Sequence, residues 1–89
     1  MVIGTTNSGF RYEVKKNVAN DMELLEALEE MSDENPFAMA KVCKKVFGEK
    51  QKKALYDHLR TEDGRVPVEM VSDAITEVFN AIGTAGKNS

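Results

Sequence analysis

Residues 67–82, PVEMVSDAITEVFNAI, decide the fold of this chain. Drawn on a helical wheel, with about 100° per residue, their apolar side chains fall into one stripe. The stripe consists of Val68, Val71, Ala74, Ile75, Val78, Phe79 and Ile82. Pro67 suits the first position of a helix, where it loses no hydrogen bond, and Gly83 can end one. We therefore expect an amphipathic C-terminal helix, the strongest such element in the sequence, with residues 84–89 as a frayed tail.

Further helices are predicted upstream of this segment. Asn20 and Glu23 form a capping box, which predicts a first helix over about residues 21–32. Asn35-Pro36 has the chemistry of a cap and a first helical residue, so it begins a second helix that ends at Gly48. A third helix covers about residues 49–61 and stops at a turn, and the C-terminal helix is then the fourth.

The N-terminal part of the chain has a different pattern. Residues 1–9 are rich in turn formers and read as a loose arm, whereas apolar and polar residues alternate from Phe10 to Val18 as in a strand. A lone strand must pair, either with the arm in a small hairpin or with another chain. The expected fold is mainly α: a short N-terminal β element followed by about four short helices in a compact bundle, with residues 1–89 as a single domain.

Charge and composition narrow the class of function. The 89 residues carry a net charge of −3 with a pI near 5.1, which argues against nucleic acid as the partner. No segment resembles a signal peptide or a membrane span, and a single cysteine fits a reducing compartment, so we expect a cytoplasmic protein without a membrane partner. All charges from Asp21 to Glu34 are acidic, while lysine dominates from Asn35 to Arg60. These segments can pair within one molecule or between copies in self-association.

No catalytic, cofactor-binding or metal-binding pattern stands out. His58 is the only histidine and borders an apolar stripe, so a surface or boundary position is expected. Cys43 lies among apolar residues and should be a buried, inert thiol. Asp63-Gly64 resembles part of a calcium loop, but Met70 occupies the position that needs a glutamate. We therefore expect a protein that is not an enzyme and uses no cofactor.

Several stretches nevertheless resemble a known family. They are GFRY at residues 9–12, DMELLE at 21–26, VFGEKQ at 46–51, LYDHLR at 55–60 and EDGRVPVE at 62–69. In these stretches, spread over about residues 9–82, the chain resembles the tail assembly chaperones of long-tailed, siphovirus-like bacteriophages and prophages. The resemblance implies a non-enzymatic chaperone that binds the tape-measure protein and tail-tube subunits during tail morphogenesis in the bacterial cytoplasm. It also implies that a longer form can arise by ribosomal frameshifting.

A helical protein of this kind would hold apolar segments of its partner against an apolar surface. The candidate protein-binding residues are Met22, Met70, Val71, Ile75, Phe79 and Ile82. Two alternatives remain open at this stage. One is a small DNA-binding or transcriptional regulator that uses the basic second and third helices, and the other is a head–tail connector component.

Overall fold

The computed structural model describes residues 1–32 and 35–87. In chain order its elements are the strands β1 (Val2–Thr5) and β2 (Arg11–Val14) and the helices α1 (Met22–Ser32), α2 (Pro36–Leu59) and α3 (Val68–Lys87). The protein is mainly helical with a short β element at its N-terminus, as the sequence predicted, and this element is a two-stranded hairpin. It has three helices in the described ranges, however, and not about four.

The helix count was wrong because the predicted second and third helices form one element, α2. Asn35 caps it, accepting a hydrogen bond from the Phe37 N–H at 3.1 Å, and Pro36 occupies its first turn. At Gly48 the backbone leaves helical geometry, with φ 76° and ψ 168°, and then resumes it at once. This conformation is essentially restricted to glycine. Gly48 therefore interrupts α2 at the residue where the sequence predicted the second helix to end, and the helical runs on its two sides count as one kinked element.

The predicted strand pairs with the N-terminal arm of the same chain, which was one of the two partners the sequence allowed. β1 and β2 are antiparallel, with Val2 opposite Val14 and Gly4 opposite Tyr12. The connecting turn is closed by the Thr6 N–H, which donates to the Phe10 carbonyl at 2.9 Å. The segment expected to be a loose arm thus contains an ordered strand, because pairing satisfies its backbone hydrogen-bonding groups.

The ends of α1 and α3 also differ from the sequence prediction. Asp21, rather than Asn20, caps α1: its Oδ1 accepts hydrogen bonds from the N–H groups of Glu23 at 2.9 Å and Leu24 at 3.3 Å. At the other end of the chain α3 continues past Gly83 to Lys87, so most of the predicted frayed tail is helical. Residues 88 and 89 of that tail lie outside the described residues.

One apolar core joins the hairpin to the helices. Its fully buried large side chains are Val14, Leu24, Val42, Cys43, Leu55, Ile75 and Val78. In the described parts of the chain, β1 packs over α3 and β2 packs over α2, while α1 packs against α2 alone. α1 is therefore the peripheral helix and leaves much of its circumference in solvent.

Candidate protein-interaction surface

The structure divides the predicted binding residues into two groups. Val71, Ile75 and Ile82 are buried in the core, and Phe79 is half-buried. The apolar stripe of α3 is thus the face that packs inward, and burying it stabilises the fold. Val71, Ile75 and Ile82 can reach a partner only by leaving the core.

Met22 and Met70 are on the surface, with 69% and 41% of their side chains exposed. They do not form one patch, because Met22 begins α1, Met70 lies in the first turn of α3, and these two helices do not pack together. The six predicted residues are therefore not brought together into one binding site.

Sequence reasoning missed the most exposed aromatic side chain. Phe37, in the first turn of α2, is 83% exposed, and Leu25 on α1 is 48% exposed. Leu25 lies one turn beyond Met22, so the two form a short apolar stripe on the open side of α1. A helical wheel could have found Phe37, since it shares its face with Lys41 and not with the buried Val42.

A charged cleft separates α1 from the first half of α2. It has a volume of roughly 620 Å³ and is lined by Glu23, Glu26, Ala27, Glu30, Lys41, Lys44 and Lys45. At one end Lys45 Nζ lies 3.4 Å from Asp21 Oδ2 and 3.6 Å from Glu23 Oε1. At the other end the Asn35 N–H donates to the Glu30 carbonyl at 3.2 Å. The start of α1 thus lies near Lys45 in the middle of α2, and its end lies near the start of α2, so the two helices run antiparallel. The predicted pairing of acidic and basic segments therefore occurs within the molecule.

The ion pair at Lys45 is reflected in the pKa values of its members. The hydrogen bond and charge of Asp21 raise the pKa of the Lys45 ammonium. Partial burial pushes the pKa of Asp21 upward, but hydrogen bonds from the Leu24 N–H and Lys45 outweigh it and leave the pKa lowered. Both groups are exposed enough for solvent to screen the pair, so it orients α1 more than it stabilises the fold.

A second groove, of roughly 440 Å³, lies between the hairpin turn and α3. Met70 and Ala74 line it on the helix side, and Asn7 and Ser8 line it on the turn side. The Asn7 N–H donates to Glu77 Oε1 at 2.8 Å and so fixes the turn against the helix. Met70 therefore borders a groove with mixed polar and apolar walls.

His58 and Cys43 have the positions that the sequence predicted. His58 is exposed; its Nε2 is 2.9 Å from the Ser8 carbonyl oxygen, and its ring lies against that of Phe10 at a centroid distance of 5.8 Å. Cys43 is fully buried, and burial raises the pKa of its thiol to about 11. A thiol held in its protonated form is a weak nucleophile.

The kinked second half of α2 bears on the DNA-binding alternative. Of the two amide side chains in the lysine-rich segment 35–60, Asn35 caps α2, and Gln51 is the one suited to reading a base edge. Its Nε2 donates to the carbonyls of Glu13 at 2.7 Å and Phe47 at 3.1 Å, and its Oε1 accepts from the Glu13 N–H at 2.8 Å. Gln51 is therefore engaged in holding the hairpin to the kink.

Comparisons of this chain with known proteins gave no match. No family model, no curated protein and no solved structure matches the chain. Within residues 1–32 and 35–87, no three or more His, Cys, Asp or Glu side chains are grouped so as to hold a metal ion. No helix in those ranges has the length and apolar character needed to cross a membrane.

Proposed function

We propose that this chain is a non-enzymatic tail assembly chaperone of a long-tailed bacteriophage or prophage. In this role it binds helical segments of the tape-measure protein, and tail-tube subunits, in the cytoplasm of the host bacterium. The resemblance of the sequence suggests these partners. The observation that supports a binding function most directly is the 83% exposure of Phe37, one turn before Lys41 of the charged cleft.

The binding surface we propose is the α1/α2 surface, defined as Met22, Leu25 and Phe37 together with the cleft between the two helices. An exposed phenylalanine adds nothing to the folding of the free protein, whereas burying it against a partner contributes about 1.5–3 kcal/mol. Aromatic and methionine side chains are enriched at interfaces because they supply large or adaptable contact area. The exposed side chains of this surface are therefore better explained by a partner than by the fold.

The charges of the cleft favour an amphipathic helix as the bound segment. Glu26 and Glu30 line one wall and Lys41 and Lys44 line the other. A partner helix with charges of both signs could align with these walls while its apolar face covers Phe37. Tape-measure proteins, which the resemblance implies as partners, would have to supply such helices.

Co-expression with the tape-measure protein of the same phage or prophage tests the proposal. We expect the large protein to remain soluble and to be recovered together with the chaperone. Phe37→Ser should abolish recovery without changing the free energy of unfolding, because the side chain is exposed. Val68→Ser is the matched control: Val68 is 55% exposed but lies at the start of α3, away from the α1/α2 surface, so this variant should still bind.

Three results would contradict the proposal. The first is a tape-measure protein that stays insoluble and unbound when the chain is present. The second is equal binding by Phe37→Ser and the wild type, which would place the contact elsewhere. The third is the presence of the chain in mature phage particles, which a head–tail connector component would show and a chaperone would not.

A further inference from the structure

The two edges of the hairpin differ in how their backbone groups are satisfied. On β2 the carboxamide of Gln51 bonds both the N–H and the carbonyl of Glu13, at 2.8 and 2.7 Å. A peptide group of a neighbouring strand would make the same two bonds. Gln51 therefore closes the edge of β2.

The register shows that the edge of β1 is open. Because the backbone groups of Glu13 point away from β1, its opposite residue Ile3 also directs its N–H and carbonyl away from β2. The same alternation applies to Thr5, and no group in residues 1–31 and 35–83 bonds these outward groups of Ile3 or Thr5. The strand is short, with four residues, but Val2–Thr5 has no charged side chain and no proline to block pairing, and Ile3 is 56% exposed.

We propose that the edge of β1 is a docking site for one extended, uncharged segment of another protein, which adds to the hairpin as a third strand. The main-chain bonds at Ile3 and Thr5 would supply the affinity, and an apolar residue at alternate positions of the segment would cover the Ile3 side chain. This site is separate from the α1/α2 surface and takes a different kind of segment. A test of this site is therefore independent of a test of the proposed function.

The packing of the helices explains why the occupant is a single segment and not a second copy of this chain. β1 lies over α3 and β2 lies over α2. Neighbouring strands are about 4.8 Å apart, whereas packed helices are about 8–10 Å apart, so α3 extends beyond the edge of β1. Antiparallel pairing of β1 with its own copy would bring the two α3 helices into the same space. A lone strand meets no such obstacle and can rest on the flank of α3.

Amide hydrogen exchange in the full-length, ¹⁵N-labelled protein tests the proposal. The probe is a capped synthetic peptide of alternating threonine and valine with one C-terminal lysine for solubility, added up to millimolar concentration. We expect it to shift the amide signals of Ile3 and Thr5 and to slow their exchange severalfold. The amides of Val2 and Gly4, which point toward β2, should change little and serve as internal controls.

Two variants at one position separate main-chain pairing from side-chain contact. Ile3→Pro removes the outward N–H without removing a β1–β2 bond, so the peptide should no longer slow exchange at Thr5. Ile3→Thr keeps the N–H and the β-branched shape, and it should still bind. Thermal unfolding of both variants checks that the hairpin is retained.

The proposal is overturned if the peptide leaves Ile3 and Thr5 unchanged, or if Ile3→Pro binds as well as Ile3→Thr. It is also overturned if the free protein already protects the Ile3 amide and sediments at twice its mass of 9.9 kDa, because a second copy would then fill the edge.

Discussion

Replacing Gly48 by alanine tests the kink that organises the molecule. Gly48 has φ 76° and ψ 168°, a conformation that costs an L-residue about 1–3 kcal/mol. A Cβ placed there would have no neighbouring atom within 4 Å, so the expected cost comes from the backbone and not from a clash. We therefore predict that Gly48→Ala lowers the free energy of unfolding by about 1–3 kcal/mol. For a domain of this size, that corresponds to a fall in Tm of roughly 4–24 °C.

Gly83→Ala is the matched control. Gly83 lies inside α3, is exposed, and would also place its Cβ in open space. Alanine is favoured over glycine within a helix, so this variant should be more stable than the wild type by about 0.5–1 kcal/mol. The same substitution thus has opposite signs at two exposed glycines, and only the backbone conformation distinguishes them.

Urea denaturation followed by far-ultraviolet circular dichroism measures both variants under identical conditions. The transition midpoint should fall for Gly48→Ala and rise for Gly83→Ala, with similar slopes that report similar compactness. A Gly48→Ala variant as stable as the wild type would refute the reasoning, because α2 would then accept a straight helix at this position. A larger helical signal in that variant would point the same way.

Three further predictions concern Cys43, the cap of α1 and Gln51. Because burial raises the pKa of the Cys43 thiol from 9.0 to about 11, its contribution to stability is complete below pH 9 and is lost as the pH rises toward 11. The Cys43 thiol should lower the free energy of unfolding by about 2 kcal/mol across that range in urea titrations. Cys43→Ala should show a smaller slope and not a flat profile, because burial also raises the pKa values of Tyr12 and Tyr56. Asp21→Ala should cost about 1 kcal/mol in thermal unfolding, whereas Asn20→Ala should have almost no effect; the reverse order would restore Asn20 as the cap. Gln51→Ala should cost about 1–2 kcal/mol in urea denaturation, and its neighbour Lys50, replaced by alanine, should stay within about 0.5 kcal/mol of the wild type.

The parts of the fold that the sequence predicted are those that depend on side-chain period. The apolar stripes of α2 and α3 are visible as spacing, and burial of Val42 and Ile75 follows from them. The number of helices depends instead on one backbone conformation. A glycine between two helical segments fits a break and a kink equally well, because both use its freedom at positive φ. A break and a kink differ in the direction that the chain takes after the glycine, and the side-chain period does not determine that direction.

The candidate surface was harder to predict for a related reason. Periodicity identifies the apolar side of a helix, and in α3 that side is the core. An exposed apolar residue such as Phe37 departs from this periodicity, because it lies on a helix face shared with lysines. Such exceptions are individually common on protein surfaces, so a single one carries little weight until its exposure is known.

The kink, the glutamine and the open strand edge depend on one another. Gly48 turns the second half of α2 so that Gln51 reaches Glu13 on β2 and also bonds the Phe47 carbonyl on the other side of the kink. With one edge closed, the hairpin can accept a single strand. With both edges open, a strand from another protein could add on either side. Loss of Gln51 should therefore do more than lower stability: by freeing the outward N–H and carbonyl of Glu13, it should let the threonine–valine peptide slow amide exchange at Glu13 as well as at Ile3 and Thr5.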